Sequence, residues 1–132
     1  MIGLDTNVLV RYLTQDEPAQ SRRANNFIAD TTASGEPLHL STIVLCETVW
    51  VLRWAYRIGK PDILRTLTQV LDTAQFSIED ADACREALAD YADGQGDFSD
   101  YLIGAKNRRT RCSMTVTFDR KLRQSNLFQV LR

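Results

Sequence analysis

Short apolar runs alternate with stretches of helical spacing from one end of the chain to the other, which predicts strands of three to six residues separated by helices. Ile2 to Leu4 is an apolar run stopped by Asp5, and Val8, Leu9, Tyr12 and Leu13 then fall on one helical face. Pro18 stands where a second helix can begin, and Ala24, Phe27 and Ile28 continue its stripe to the break at Gly35, Glu36 and Pro37. Leu38 to Leu40 predicts a second strand. Ser41 and Thr42 come next, in N-cap position for a long helix that Gly59 ends and Pro61 keeps from continuing. That helix is apolar nearly all round. Ile63, Leu64, Leu67, Val70 and Leu71 mark a further helix, Phe76 to Ile78 a brief strand, and Ala81 to Tyr91 a helix ending near Gly94 and Gly96. Phe98 to Arg109 is helical by pattern, Cys112 to Thr117 is strand-like, and Phe128 to Leu131 is a weaker terminal strand.

Strands alternating with helices build βαβ units, so the expected class is α/β: one domain over residues 1–132, with a mainly parallel central sheet of four to five strands flanked by helices. Ligands in such sheets bind beyond the carboxyl ends of the strands.

With 132 residues, 44% of them hydrophobic, the chain can close one core unaided. Its net charge of -1 offers no overall basic field, so any nucleic-acid contact must come from a local patch. Cys46, Cys84 and Cys112 are far apart and form no C-x-x-C pair; with the lone His39 they offer neither a disulfide framework nor a zinc site. A reducing cytoplasm fits this usage. The opening MIGLDTNVLV has no basic n-region, and the most apolar later stretch, Ile43 to Tyr56, is interrupted by Glu47 and Arg53. A soluble protein with no signal peptide and no membrane span is expected.

The acids carry the candidate chemistry. Asp5 stands directly after the first strand and Asp119 after the fourth, so both project from carboxyl ends; each is equally an N-cap for the helical segment after it. Asp97 and Asp100 flank a helix start in GQGDFSDYLIGAKN, as in a capping box with Asp in place of Glu, and Asp100 in the first turn is suited to capping and to chemistry. Glu47 lies in TIVLCETVWVLRWAY, where burial is expected on nearly every side; an unpaired buried carboxylate is costly, so either an arginine or a shared metal ion must compensate it. Carboxylates converging on one spot would repel each other without a cation, and hard oxygen donors select Mg²⁺, with Mn²⁺ as a substitute. One or two such ions can activate water against a phosphodiester.

The four segments LDTNVLVRYL, LSTIVLCETVWVL, DFSDYLIGAKN and VTFDRKL, in this order and over the full length, make the chain similar to PIN-domain proteins, in particular the VapC toxins of bacterial and archaeal toxin–antitoxin pairs. The resemblance implies a Mg²⁺ site built by Asp5, Glu47, Asp100 and Asp119, with Asp97 as an additional acid. It also implies an endoribonuclease that acts on RNA, forms a homodimer, and is silenced by a small antitoxin whose C-terminal segment approaches the active site. Two departures stand out. Lys121 replaces a further acid after the fourth strand, which weakens the hold on a second metal, and Tyr101 and Gly104 stand in what is usually a D-A-L-I-A-A pattern, a departure expected to alter packing and RNA contact more than metal binding.

Thr6, Asn7 and Thr117 could hold carboxylates or metal-bound waters, or serve ordinary capping and turn bonding. Arg108, Arg109 and Arg111, and Arg120, Lys121 and Arg123, are candidate RNA contacts as well as helix-end and solvated charges. Arg11 is a candidate partner for a pocket acid. Trp50, Trp54, Leu67, Val70 and Leu71 belong to core stripes or to a groove for an antitoxin or second subunit. Two rival readings of the same fold are a non-catalytic interaction module and a phospho-acceptor domain; the latter usually wants adjacent acids at the first strand, where Asp5 stands alone.

Overall fold

The computed structural model describes residues 1–132 as six α-helices and five short strands, arranged in two compact units, Met1–Glu79 and Asp80–Arg132.

The first unit runs β1 (Ile2–Gly3), α1 (Thr6–Thr14), α2 (Pro18–Ala33), β2 (Leu38–Leu40), α3 (Thr42–Trp50), a π-helical turn (Val51–Ala55), α4 (Lys60–Asp72) and β3 (Phe76–Ile78). Its strands pair in parallel in the order β1-β2-β3, with Ile2 beside Leu38 and Leu38 beside Phe76. Helical crossovers connect them, as parallel pairing requires. Local chemistry sets the boundaries. Gln15 closes α1 in the left-handed conformation at φ 57°, and Glu17 accepts the Gln20 N–H to start α2, with Pro18 as its first residue. Ser41 Oγ accepts the Val44 N–H at 3.2 Å to start α3. Leu9, Leu38, Leu40, Leu45, Leu52, Ile63 and Leu67 are almost completely buried.

The second unit holds α5 (Ala81–Asp93), α6 (Phe98–Arg109), β4 (Thr115–Thr117), a 3₁₀ turn (Arg120–Leu122) and β5 (Phe128–Val130). The helices pack as a hairpin, with buried Ala83, Ala87 and Ala105 permitting close approach and Tyr91 meeting Phe98 edge to face at 6.4 Å. β4 and β5 pair in parallel.

The α/β class with parallel strands is therefore as expected, but the strands form a three-stranded and a two-stranded sheet rather than one of four to five. β1 offers only the backbone of Ile2 and Gly3 for pairing, and that ladder faces β2. Two other expectations need correction. The strand-like run from Cys112 narrows to Thr115–Thr117, because β5 supplies only three partners and the Cys112 N–H instead closes the end of α6 on the Asn107 carbonyl. The helix from Thr42 leaves α geometry at Val51 rather than running to Gly59, and Arg57 turns the chain in the left-handed region at φ 55°. Leu67, Val70 and Leu71 are buried core, so only Trp50 and Trp54 of that expected apolar surface reach solvent, together with Ile43.

Candidate metal and catalytic site

Because β1, β2 and β3 are parallel, their carboxyl ends share one edge, and Asp5, Ser41 and Glu79 lie just beyond it. Asp5 precedes α1 in extended conformation (φ -82°, ψ 161°), and its carbonyl accepts the Leu9 N–H at 3.2 Å. Its carboxylate makes no capping bond. It is exposed and borders a 590 Å³ groove between α1 and α2, shared with Asn7, Arg11, Arg23 and Phe27.

Glu47 is exposed, contrary to the burial its apolar neighbours suggest. The i, i+4, i+7 geometry of α3 turns Ile43, Glu47 and Trp50 outward, while Val44, Leu45, Thr48 and Val49 face inward. No arginine is therefore needed to neutralise it. The Thr6 hydroxyl donates to Glu47 Oε1 at 2.8 Å, tying the first turn of α1, next to Asp5, to the middle of α3. This is the carboxylate-holding role foreseen for Thr6. Arg11 does not pair with Asp5 or Glu47: its guanidinium contacts Gln20 Oε1 at 2.7 Å, the Tyr56 hydroxyl at 2.9 Å and Asp16 at 3.4 Å. The Tyr56 hydroxyl in turn donates to Asp16, which, with Thr14, holds that carboxyl below the ordinary range.

Glu79 was missed by sequence reasoning. Its Oε1 accepts from the Thr42 N–H at 2.8 Å and the Thr42 hydroxyl at 2.9 Å, so an acid at the end of β3 helps cap α3. The signal was present, since Glu79 comes after an apolar run as directly as Asp5 does.

In the second unit the charges of Asp97 and Asp119 act on Asp100. The Asp97 N–H donates to Asp100 Oδ2 at 3.0 Å, the capping arrangement the sequence suggested. Asp119 Oδ1 accepts the Lys121 N–H at 2.9 Å, and the Asp119 N–H donates to Thr117 Oγ1 at 3.1 Å. Asp119 thus does cap the 3₁₀ turn, with one oxygen, and Thr117 makes the turn bond. Burial holds the Asp100 carboxyl above the usual aspartate range; the Asp97 N–H opposes this, the Asp97 and Asp119 charges add to it, and the Lys121 ammonium relieves part of it. No three His, Cys, Asp or Glu side chains in the chain stand grouped as a ready ligand set. Arg108 and Arg109 both ion-pair with Glu86, Arg109 at 2.6 Å, so two guanidinium groups share one carboxylate and a net positive charge remains there.

A carboxyl whose pKa is raised by folding binds its proton more tightly in the folded state, so the stability present in acid is lost as pH rises from the ordinary aspartate range through the raised value. Asp100→Asn keeps an acceptor for the Asp97 N–H and removes the charge. In EDTA the variant is expected to melt above the wild type at pH 7, and the difference to vanish toward pH 3, as monitored by circular dichroism. A lower melting temperature for Asp100→Asn at both pH values would contradict the charge argument.

An α/β domain with acids beyond the ends of parallel strands defines a recognisable class. The sequence profile of the PIN domain matches residues 2–126, and the chain belongs to the PIN domain family. Among individual proteins it is similar to the "VapC ribonuclease" of Aquifex aeolicus (strain VF5), with 28% identity over 121 residues, covering 92% of this chain and 89% of that protein. No helix is long and apolar enough to cross a membrane, and the three cysteines form no disulfide.

Proposed function

We propose that the protein is a Mg²⁺-dependent endoribonuclease, with Mn²⁺ as a substitute ion, and the toxin of a toxin–antitoxin pair. The observation that carries the reading is the position of Asp5 in a PIN domain, directly beyond the first of three parallel strands, with an exposed carboxylate that makes no capping bond. The donors available are carboxylate oxygens, which suit a hard cation. Asp5, Glu47, Asp100 and Asp119 are assigned as its ligands, with Asp97 assisting. Asp5 has a carboxylate not engaged in capping, and Glu47 is exposed and steadied by Thr6. Bound there, a divalent ion supplies a polarised phosphate, a water of lowered pKa and a stabilised leaving oxygen. One of the carboxylates accepts a proton from the attacking water, and Thr6 and Thr117 keep Glu47 and Asp119 in position.

The similarity to a protein named a ribonuclease supports RNA as substrate. A protein antitoxin, a homodimeric state and a cytoplasmic location belong to the same proposal. The decisive experiment is incubation of the purified protein with a mixed RNA pool in Mg²⁺ and in EDTA, with Mg²⁺ binding measured by calorimetry. Cutting in Mg²⁺ that stops in EDTA supports the enzyme. A folded, antitoxin-free protein that neither cuts RNA nor binds Mg²⁺ is instead an interaction module.

A further inference from the structure

Resting on the ribonuclease reading, we propose that the groove formed by Arg53, Trp54, Arg57, Ile58, Gly59 and Lys60 is a separate binding site for single-stranded RNA, in which a base stacks on the Trp54 indole and adjacent phosphates meet the basic side chains. The groove measures 620 Å³, within the roughly 300–1,000 Å³ range of ligand sites. All of its lining comes from one continuous stretch that begins in the π-helical turn.

The turn explains why an indole reaches solvent here. Across Val51–Ala55 the backbone sends Leu52 into the core, at 1% exposure, and leaves Trp54 66% exposed. The Arg53 guanidinium carbon lies 5.1 Å from the centre of the Trp54 ring, a cation–π contact that steadies the indole and places positive charge beside it. Arg57 adopts the left-handed conformation, unusual for a residue other than glycine, where the chain reverses toward Gly59 and α4. The groove therefore combines three basic residues with an aromatic face, and no Asp or Glu lines it.

In a chain of net charge -1, a basic and aromatic lining without acids is complementary to phosphates and to unstacked bases. Duplex RNA would leave the indole unused, because its bases are stacked on each other. An acidic protein segment would satisfy the cations but would not need the ring.

The test is binding of a short fluorescein-labelled oligouridylate to the full chain in EDTA, read by anisotropy across a salt series. Trp54→Ala is expected to weaken binding about tenfold or more, with Trp54→Phe recovering part of the loss. Arg57→Ala is expected to lower the slope of log affinity against log salt by about 0.7, as for one lost phosphate contact. Arg65→Ala removes a positive charge outside the groove and is expected to bind like the wild type. Wild-type affinity and salt slope in folded Trp54→Ala and Arg57→Ala overturn the proposal. So does an oligoglutamate that displaces the RNA as well as unlabelled oligouridylate does. Because EDTA separates binding from cutting, Trp54-dependent binding without Mg²⁺-dependent cutting overturns the ribonuclease reading alone, and cutting with Trp54-independent binding overturns this site alone.

Discussion

Asp5→Asn is expected to lower the initial rate of RNA cleavage in Mg²⁺ by about a thousandfold, equivalent to the loss of ~4 kcal/mol of transition-state stabilisation. The substitution isolates charge from structure. Asparagine is as good an N-cap as aspartate, and the Asp5 carboxylate makes no capping bond to lose. The Asp5 carbonyl, which accepts the Leu9 N–H, is backbone and stays in place. Melting temperature should therefore remain within about 2 °C of the wild type, corresponding to a stability change of ~0.5 kcal/mol or less. Rates and melting curves taken on the same preparations check both halves. Retention of more than a tenth of the activity would remove Asp5 from the ligand set; loss of activity with a large drop in melting temperature would point to a structural role.

Gly94→Ala is expected to destabilise the protein by about 2–3 kcal/mol and lower its melting temperature by roughly 10 °C. A Cβ at Gly94 would overlap the Tyr101 hydroxyl and stand 3.0 Å from the Asp90 carbonyl oxygen. Tyr101 is only 3% exposed and cannot swing into solvent. Its hydroxyl also accepts the N–H of buried Gly96 at 3.0 Å, so displacing the ring leaves a buried donor unmet. The conformation of Gly94 itself, φ -102° and ψ 176°, is open to any residue, so the cost is steric rather than torsional. Since Tyr101 comes directly after Asp100, RNA cleavage should fall with the stability. Thermal melts and urea titrations give the measurement, and a midpoint within about 2 °C of the wild type would show that the turn relaxes around the added methyl.

Tyr101 also shows how far pattern reasoning reaches. Its place on a helix, and its effect on packing, were legible because a bulky residue occupies a position usually held by a small one. That its hydroxyl serves the Gly96 N–H was not, since the bond depends on how the turn between α5 and α6 folds back. Glu47 failed in the opposite direction. Its neighbours in sequence are apolar, yet a helix turns about 100° per residue, and the face that α3 buries contains Val44, Leu45, Thr48 and Val49. Exposed Ile43 and Trp50 flank the acid on the other face and made the helix look uniformly apolar.

The sequence by itself determined the alternation of strands and helices, the parallel pairing that helical crossovers impose, and the placing of Asp5 and Asp119 after strands, because these depend on periodicity and on neighbours a few residues apart. Tertiary structure alone decided strand length and sheet number, since a strand extends only as far as its partner offers backbone groups. It likewise decided which acids are engaged. Glu79 caps α3 through Thr42, thirty-seven positions away, Thr6 holds Glu47 across forty-one, and Glu86 takes up Arg108 and Arg109. Such bonds form between groups brought together by the packing of whole elements, and no local pattern records them.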